Sequence, residues 1–234
     1  MAAAASLTDV EKTYRVGAVD VPAIRGLTLE IEDGSFMSIA GPSGSGKTTL
    51  LNLLGVLDVP TAGTIRIGGE STEGLSSKAI ADFRNTHLGF VFQTFNLIPV
   101  LTAFENVEFP LHLKGVTDAG ERARRVEEIL EDVGLAGLSD RRPNELSGGQ
   151  QQRVAVARAL VKEPTLVLAD EPTANLDSTT AEELMALMHE MNERRGTTFV
   201  FSTHDPLVMG HASRLVMLRD GMVESDERRG NGHG

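Results

Sequence analysis

Residues 41–48 read GPSGSGKT, a glycine-rich run that satisfies G-x-x-x-x-G-K-[ST]. Its glycines let successive backbone N–H groups turn inward around a phosphate, and a helix that follows offers its N-terminus to the anion. Lys47 then reaches the outer phosphates as a point charge, and the Thr48 hydroxyl is a hard oxygen suited to Mg²⁺. The run follows an apolar segment, 35–40 (SFMSIA), and opens a helical pattern over 48–57 (TTLLNLLGVL). Strand, glycine turn and helix in that order predict a nucleotide-binding P-loop, with Gly41, Pro42, Ser43, Gly44, Ser45, Gly46, Lys47, Thr48 and Thr49 around the phosphates.

A second chemical feature stands farther along. Residues 166–171 read LVLADE, a buried strand pattern ending in two acids. Asp170, at the strand end, is placed to serve the Mg²⁺ shell. Glu171, one residue on, is placed to polarise a water aimed at the terminal phosphate.

These groups need a scaffold, and the pattern supplies one. Short apolar runs at 88–93 (LGFVFQ), 166–170, 198–203 (TFVFST) and 214–218 (RLVML) alternate with helical segments. That alternation predicts an α/β fold, a mostly parallel sheet covered on both faces. One helix is expected over 121–133, with Val126, Ile129, Leu130 and Val133 on one face. Another is expected over 178–195, where Leu184, Leu187, Met188 and Met191 form a core stripe. The front, about 1–35 with 60–70, alternates and predicts an antiparallel β-subdomain. Residues 94–162 carry fewer strand signals and predict an inserted helical subdomain, leaving 1–93 and 163–225 as the nucleotide-binding core of a single domain. The polar, glycine-rich end, 226–234 (DERRGNGHG), predicts a flexible tail, with His233 no ligand.

Composition narrows the classes. The chain has 234 residues and no cysteine, which excludes a disulfide scaffold, a thiolate zinc site and a cysteine nucleophile. A net charge of −11 argues against nucleic acid as a partner and against unaided docking on an anionic membrane. No stretch approaches the roughly 20 apolar residues of a membrane span, and no basic region precedes the short apolar start, so a cytoplasmic protein is expected.

Residues 144–153 (NELSGGQQQR) carry a specific resemblance, because LSGGQ is the signature of ATP-binding-cassette (ABC) ATPases. The family's other landmarks follow in order. Gln93 resembles the Q-loop glutamine, which touches Mg²⁺ or the attacking water; Asn175-Leu176-Asp177 resembles the D-loop; His204 in STHD resembles the switch histidine. Tyr14 stands where the adenine-stacking aromatic is expected. The resemblance covers about 6–224. It implies an ATPase with ATP and Mg²⁺ as cofactors, Glu171 as base, and catalytic support from Lys47, Gln93 and His204. The Ser147 hydroxyl and the Gly148 and Gly149 N–H groups open a helical pattern at 150–161, a second anion-accepting helix start that includes Gln150. In the family the two sites meet in a head-to-tail homodimer with ATP between one chain's P-loop and the other's SGGQ, and Asp177 lies at that seam.

Within the family, 41–58 (GPSGSGKTTLLNLLGVLD), Arg84-Asn85, 88–110 and 168–177 (LADEPTANLD) resemble the lipoprotein-releasing and macrolide-exporting branch. Ala174 and Val56 stand where that branch more often has glycine. The branch implies a stand-alone ATPase subunit on the cytoplasmic side of the plasma membrane. It also implies separate permease subunits of a four-helix type with a large extracytoplasmic domain. Phe95, Leu97, Ile98, Leu101 and Phe104 are the expected docking cluster. A soluble ABC ATPase acting on nucleic acid or the ribosome is the alternative.

Overall fold

The computed structural model describes residues 3–229. Its elements run β1 (Ala3–Val16), β2 (Val19–Glu32), β3 (Phe36–Ala40), α1 (Lys47–Leu54), β4 (Ala62–Ile67), β5 (Glu70–Ser71), α2 (Ser77–His87) and β6 (Leu88–Phe92). After these come α3 (Ala103–Leu113), α4 (Ala119–Asp132), α5 (Gly148–Leu160), β7 (Leu166–Asp170), α6 (Ser178–Arg195), β8 (Thr198–Thr203), α7 (Pro206–His211), β9 (Arg214–Arg219) and β10 (Met222–Arg228).

Two sheets form among the described residues. One is antiparallel, in the order β2-β1-β4-β5. The other runs β10-β9-β3-β8-β7-β6, parallel from β9 to β6 with β10 antiparallel at its edge. The two-residue period of a strand explains how the parallel sheet serves two cores. From β3, Phe36 points into one cluster and Met37 and Ile39 into the other; from β8, Phe199 and Phe201 oppose Val200. Phe36, Phe199 and Phe201 are at most 1 % exposed and pack with ring centroids 4.7–5.9 Å apart. Each such side chain contributes about 1.5–3 kcal/mol by burial. The first cluster takes in α3 to α6; the second joins the parallel sheet to α1 and the antiparallel sheet.

The strands at 166–170 and 198–203 and the helix at 178–195 form with the expected bounds. The helix has clear punctuation: Asp177 caps its start through the Thr180 N–H (3.0 Å), and Gly196 ends it at φ 66°. The P-loop helix stops at Leu54, earlier than the pattern over 48–57 suggested, because Val56 takes φ 50°. Three helices, α2, α3 and α7, are not marked by the sequence pattern. Between neighbours β6 and β7 the chain is helix and loop throughout.

The expected flexible tail is corrected in part. Asp226, Glu227 and Arg228 belong to β10 and pair with Val216, Leu215 and Arg214. Arg214 holds the Asp226 carboxylate through two hydrogen bonds of 2.8 and 2.7 Å, an ordering contact that a polar composition does not reveal. The rest of that expectation, from Gly230 and including His233, lies outside the described residues.

Candidate functional site

The loop between β3 and α1 is the P-loop, and its path needs glycine. Gly46 caps α1 at φ 105°, and a side chain there would meet the Ala23 carbonyl at 2.7 Å. Lys47 folds its ammonium back over the loop, donating to the Gly41 and Pro42 carbonyls at 2.8 and 3.1 Å. A cleft of about 570 Å³ opens above it. Gly41, Pro42, Ser43, Gly44, Gly46, Lys47, Thr48 and Thr49 line one side; Gln93, Asp170, Glu171 and His204 line the other. Residues spread over more than 160 positions of sequence therefore face one space, since β3, β6, β7 and β8 all deliver their C-terminal ends to it.

The carboxylates differ in their surroundings. Burial pushes the Asp170 carboxyl above its ordinary range and the charge of Glu171 adds to this, against a hydrogen bond from Ser202 and the Lys47 ammonium. Glu171 sits at φ 45°, a left-handed conformation uncommon outside glycine, and its N–H donates to the Ser202 carbonyl at 2.9 Å. Its side chain is held from two directions. The Thr203 hydroxyl donates to Oε2 at 2.9 Å, and His204 Nδ1 lies 2.5 Å from Oε1.

Some expected residues lie elsewhere. Tyr14 is on β1, its hydroxyl 2.8 Å from Asp58 Oδ2. Ser147 caps α5 in a reciprocal box, its Oγ accepting from Gln150 N–H (3.3 Å) while Gln150 Oε1 accepts from Ser147 N–H (2.9 Å). Gly149 presses against the start of α6, where a side chain would come within 2.4 Å of Thr180 Cγ2. Asp177 caps that helix, and the Thr180 hydrogen bonds hold its carboxyl below the usual range. Gly148, Gly149, Gln150 and Asp177 thus gather at two adjacent helix starts, and none of them, nor Ser147, lines the P-loop cleft.

Two further side chains tie the site's loops together, Gln152, which no motif marks, and Asn175 of the D-loop resemblance. Gln152, fully buried, spans the ends of β6 and β7 by donating to the Phe92 and Pro172 carbonyls (3.3 and 2.6 Å). Asn175 donates to the Gln93 carbonyl (2.9 Å), tying the loops after β6 and β7 together. The signal for Gln152 was available: it falls on the same helix face as Ala155, Val156 and Ala159.

Of the apolar cluster expected after Gln93, Phe95, Ile98 and Leu101 are half-buried and belong to neither core. Leu97 and Phe104 pack against the core. Buried Asn106 ties the loop down, its amide donating to the Ile98, Leu101 and Thr102 carbonyls. The most exposed apolar side chains of this region are Val100, Phe109 and Leu113, 74 %, 43 % and 62 % exposed. Beside them lies a cleft of about 240 Å³, lined by Phe90, Phe92 and Pro110 with Arg158 and Lys162. Burial and the nearby Lys114 and Arg84 charges bring the Lys162 ammonium down to about 8, and burial lowers Arg158.

Comparison with known proteins defines the class. The ABC transporter family model matches residues 24–174, more than half of the chain. The chain belongs to the ABC transporter ATPase family. It is 47% identical to the lipoprotein-releasing system ATP-binding protein LolD of Anaeromyxobacter dehalogenans, over 94% of this chain and 92% of that one. It is 48% identical to the macrolide export ATP-binding/permease protein MacB of Syntrophobacter fumaroxidans over 94% of its own length, but spans only 31% of that relative. Among solved structures it matches the ATP-binding cassette MJ0796, captured as a post-hydrolysis dimer bound to ADP and Pi, with TM-score 0.86 and 46% identity over 97% of this chain and 99% of that one. The protein is an ATP-binding, ATP-hydrolysing cassette of the transporter type.

Proposed function

We propose that this cassette drives separate membrane subunits of the lipoprotein-releasing or macrolide-exporting type, by closing on ATP as a homodimer and opening after hydrolysis. The observation that carries the reading is the shared cleft: a P-loop, two strand-end acids, a glutamine and a histidine on one space. In this reading the P-loop N–H groups and Lys47 hold the β- and γ-phosphates. Thr48, Asp170 and Gln93 offer the hydroxyl, carboxylate and amide oxygens that suit Mg²⁺, a donor set that fits that ion. Bound there, Mg²⁺ supplies charge neutralisation for the phosphates. Glu171 takes a proton from the attacking water, and His204, bonded to the same carboxylate, orients it and faces the γ-phosphate. Tyr14 stacks on adenine.

The second half of the site comes from a second copy. Ser147, Gly148, Gly149 and Gln150 present a helix start that cannot reach the phosphates of its own cleft, and a head-to-tail partner brings it there with Asp177 at the seam. The dimer described for MJ0796 supports this arrangement.

The membrane partner is a four-helix permease with a large extracytoplasmic domain, seated on the cleft beside Phe90, Phe92 and Pro110 and the exposed Val100, Phe109 and Leu113. No helix among the described residues is long and apolar enough to cross a membrane. In this reading the permease holds the cassette peripherally on the cytoplasmic face of the plasma membrane. The test is purification of tagged Glu171→Gln protein from solubilised membranes with Mg-ATP. A four-helix companion is expected. Ribosomes or nucleic acid without a membrane protein would overturn the reading.

A further inference from the structure

We propose that Asp58 is a positioning residue for the nucleobase, holding the Tyr14 ring at a set place beside the P-loop helix. The proposal rests on the reading of Tyr14 as the adenine platform.

The geometry forms a closed chain of contacts from phosphate site to base site. α1 begins at the P-loop, and after it ends the backbone N–H groups of Leu57 and Asp58 fold back onto the Asn52 carbonyl at 2.9 and 3.3 Å. Asp58 is thereby fixed to the helix whose first residues hold the phosphates. Its Oδ2 accepts from the Tyr14 hydroxyl at 2.8 Å. Its Oδ1 accepts from Lys12 Nζ at 2.5 Å and from the Val59 N–H at 2.7 Å. Lys12 also donates to the Val59 carbonyl (2.8 Å) and stands 4.9 Å from the Tyr14 ring centroid. One carboxylate therefore joins β1, through both Lys12 and Tyr14, to the helix of the P-loop.

A strand fixes the backbone of Tyr14 but leaves its side-chain rotamers open. The bond to a carboxylate removes that freedom before the base arrives, and preorganisation of this kind appears as affinity. The charge on Asp58 is secure. Burial would raise its pKa, yet the hydrogen bonds from Lys12, Tyr14 and the Val59 N–H keep it below the usual range. Tyr14 responds in the opposite sense: burial, and then the bond to Asp58, raise the phenol above its ordinary value.

The composition provides a direct probe. Tyr14 is the only tyrosine and the chain has no tryptophan, so its emission and near-ultraviolet absorbance report on this residue alone. In the wild type, Mg-ATP should change tyrosine emission on stacking. In Asp58→Ala the midpoint of that titration and the KM for ATP should rise roughly fivefold to tenfold, within the range expected for the net contribution of one hydrogen bond, with the loss falling on KM rather than kcat. Asp58→Asn, closer in shape, should move both in the same direction. Tyr14→Phe, which keeps the ring and loses the hydroxyl, should raise KM as well, and adding Asp58→Ala to it should cost little more. The phenol of Asp58→Ala should also ionise at lower pH than that of the wild type. Wild-type midpoints and KM in both Asp58 variants would overturn the proposal while leaving Tyr14 as the platform. Wild-type emission that ignores ATP, while ATPase activity shows binding, would remove the platform reading and the proposal with it.

Discussion

Glu171 and His204 meet 2.5 Å apart, carboxylate oxygen to ring nitrogen, from the ends of adjacent parallel strands. The register makes the contact. Asp170 on β7 pairs with Ser202 on β8, so the next residues of each strand, Glu171 and Thr203, and then His204, converge on one point. The Thr203 hydroxyl on the second oxygen leaves the carboxylate little freedom to turn. The acid proposed to receive a proton from water is thus aimed before substrate binds.

Glu171→Gln keeps the shape and loses the base. Turnover should fall by roughly 10²–10⁴-fold while ATP still binds, measured by phosphate release and by tyrosine emission. His204→Ala should also slow turnover, and in the Glu171→Gln background should add little, since the two act as a unit. A Glu171→Gln protein that hydrolyses at the wild-type rate would refute the base assignment.

Val100 and Phe109 are exposed and belong to neither core cluster, so charge there should leave the fold intact. Val100→Asp with Phe109→Asp should bind ATP normally yet lose the membrane companion in pull-downs. Intact co-purification would place the docking surface elsewhere. Leu97→Asp is a poorer probe, because Leu97 packs against the core and its replacement should lower stability first.

Asp226 and Arg214 make a test of the ordered end of the chain. The Arg214 guanidinium holds the Asp226 carboxyl below its usual range. The sign follows: the pair contributes stability above the unfolded carboxylate pKa of about 3.9, and the contribution fades as pH falls through the lower folded value. With partial exposure discounted, Asp226→Asn should cost about 1 kcal/mol at neutral pH. The gap to wild type, read from denaturant unfolding, should close in acid. A gap constant down to low pH would exclude the ion pair as its source.

The sequence was most legible where local chemistry agreed with tertiary packing. The helix at 178–195 has Asp177 at one end and Gly196 at the other, so pattern and caps coincide. The strands β7 and β8 are buried on both faces and carry short apolar runs, LVLA and FVF. The helix α3 was obscured by Pro110 within it, although Thr102 and Glu105 form the capping box that marks its start. For α2, only Phe83 is fully buried, too little for a helical period to register. The end at 226–228 looked like loose chain because its strand is held by charge rather than by apolar alternation. At the site, the P-loop and the Asp170-Glu171 pair announced themselves by type and spacing, and Gln93 and His204 through the family resemblance. The contacts of Gln152 and Asp58 did not, since they are made to carbonyls and hydroxyls that only the fold brings within reach.

The most direct test of the account is the mass of Glu171→Gln protein in solution with Mg-ATP, read by light scattering against the nucleotide-free sample. A monomer that becomes a dimer on ATP is expected, returning to monomer when Ser147 is replaced by a bulky residue such as Phe. A Glu171→Gln protein that binds ATP and stays monomeric, with or without its membrane partner, would contradict it.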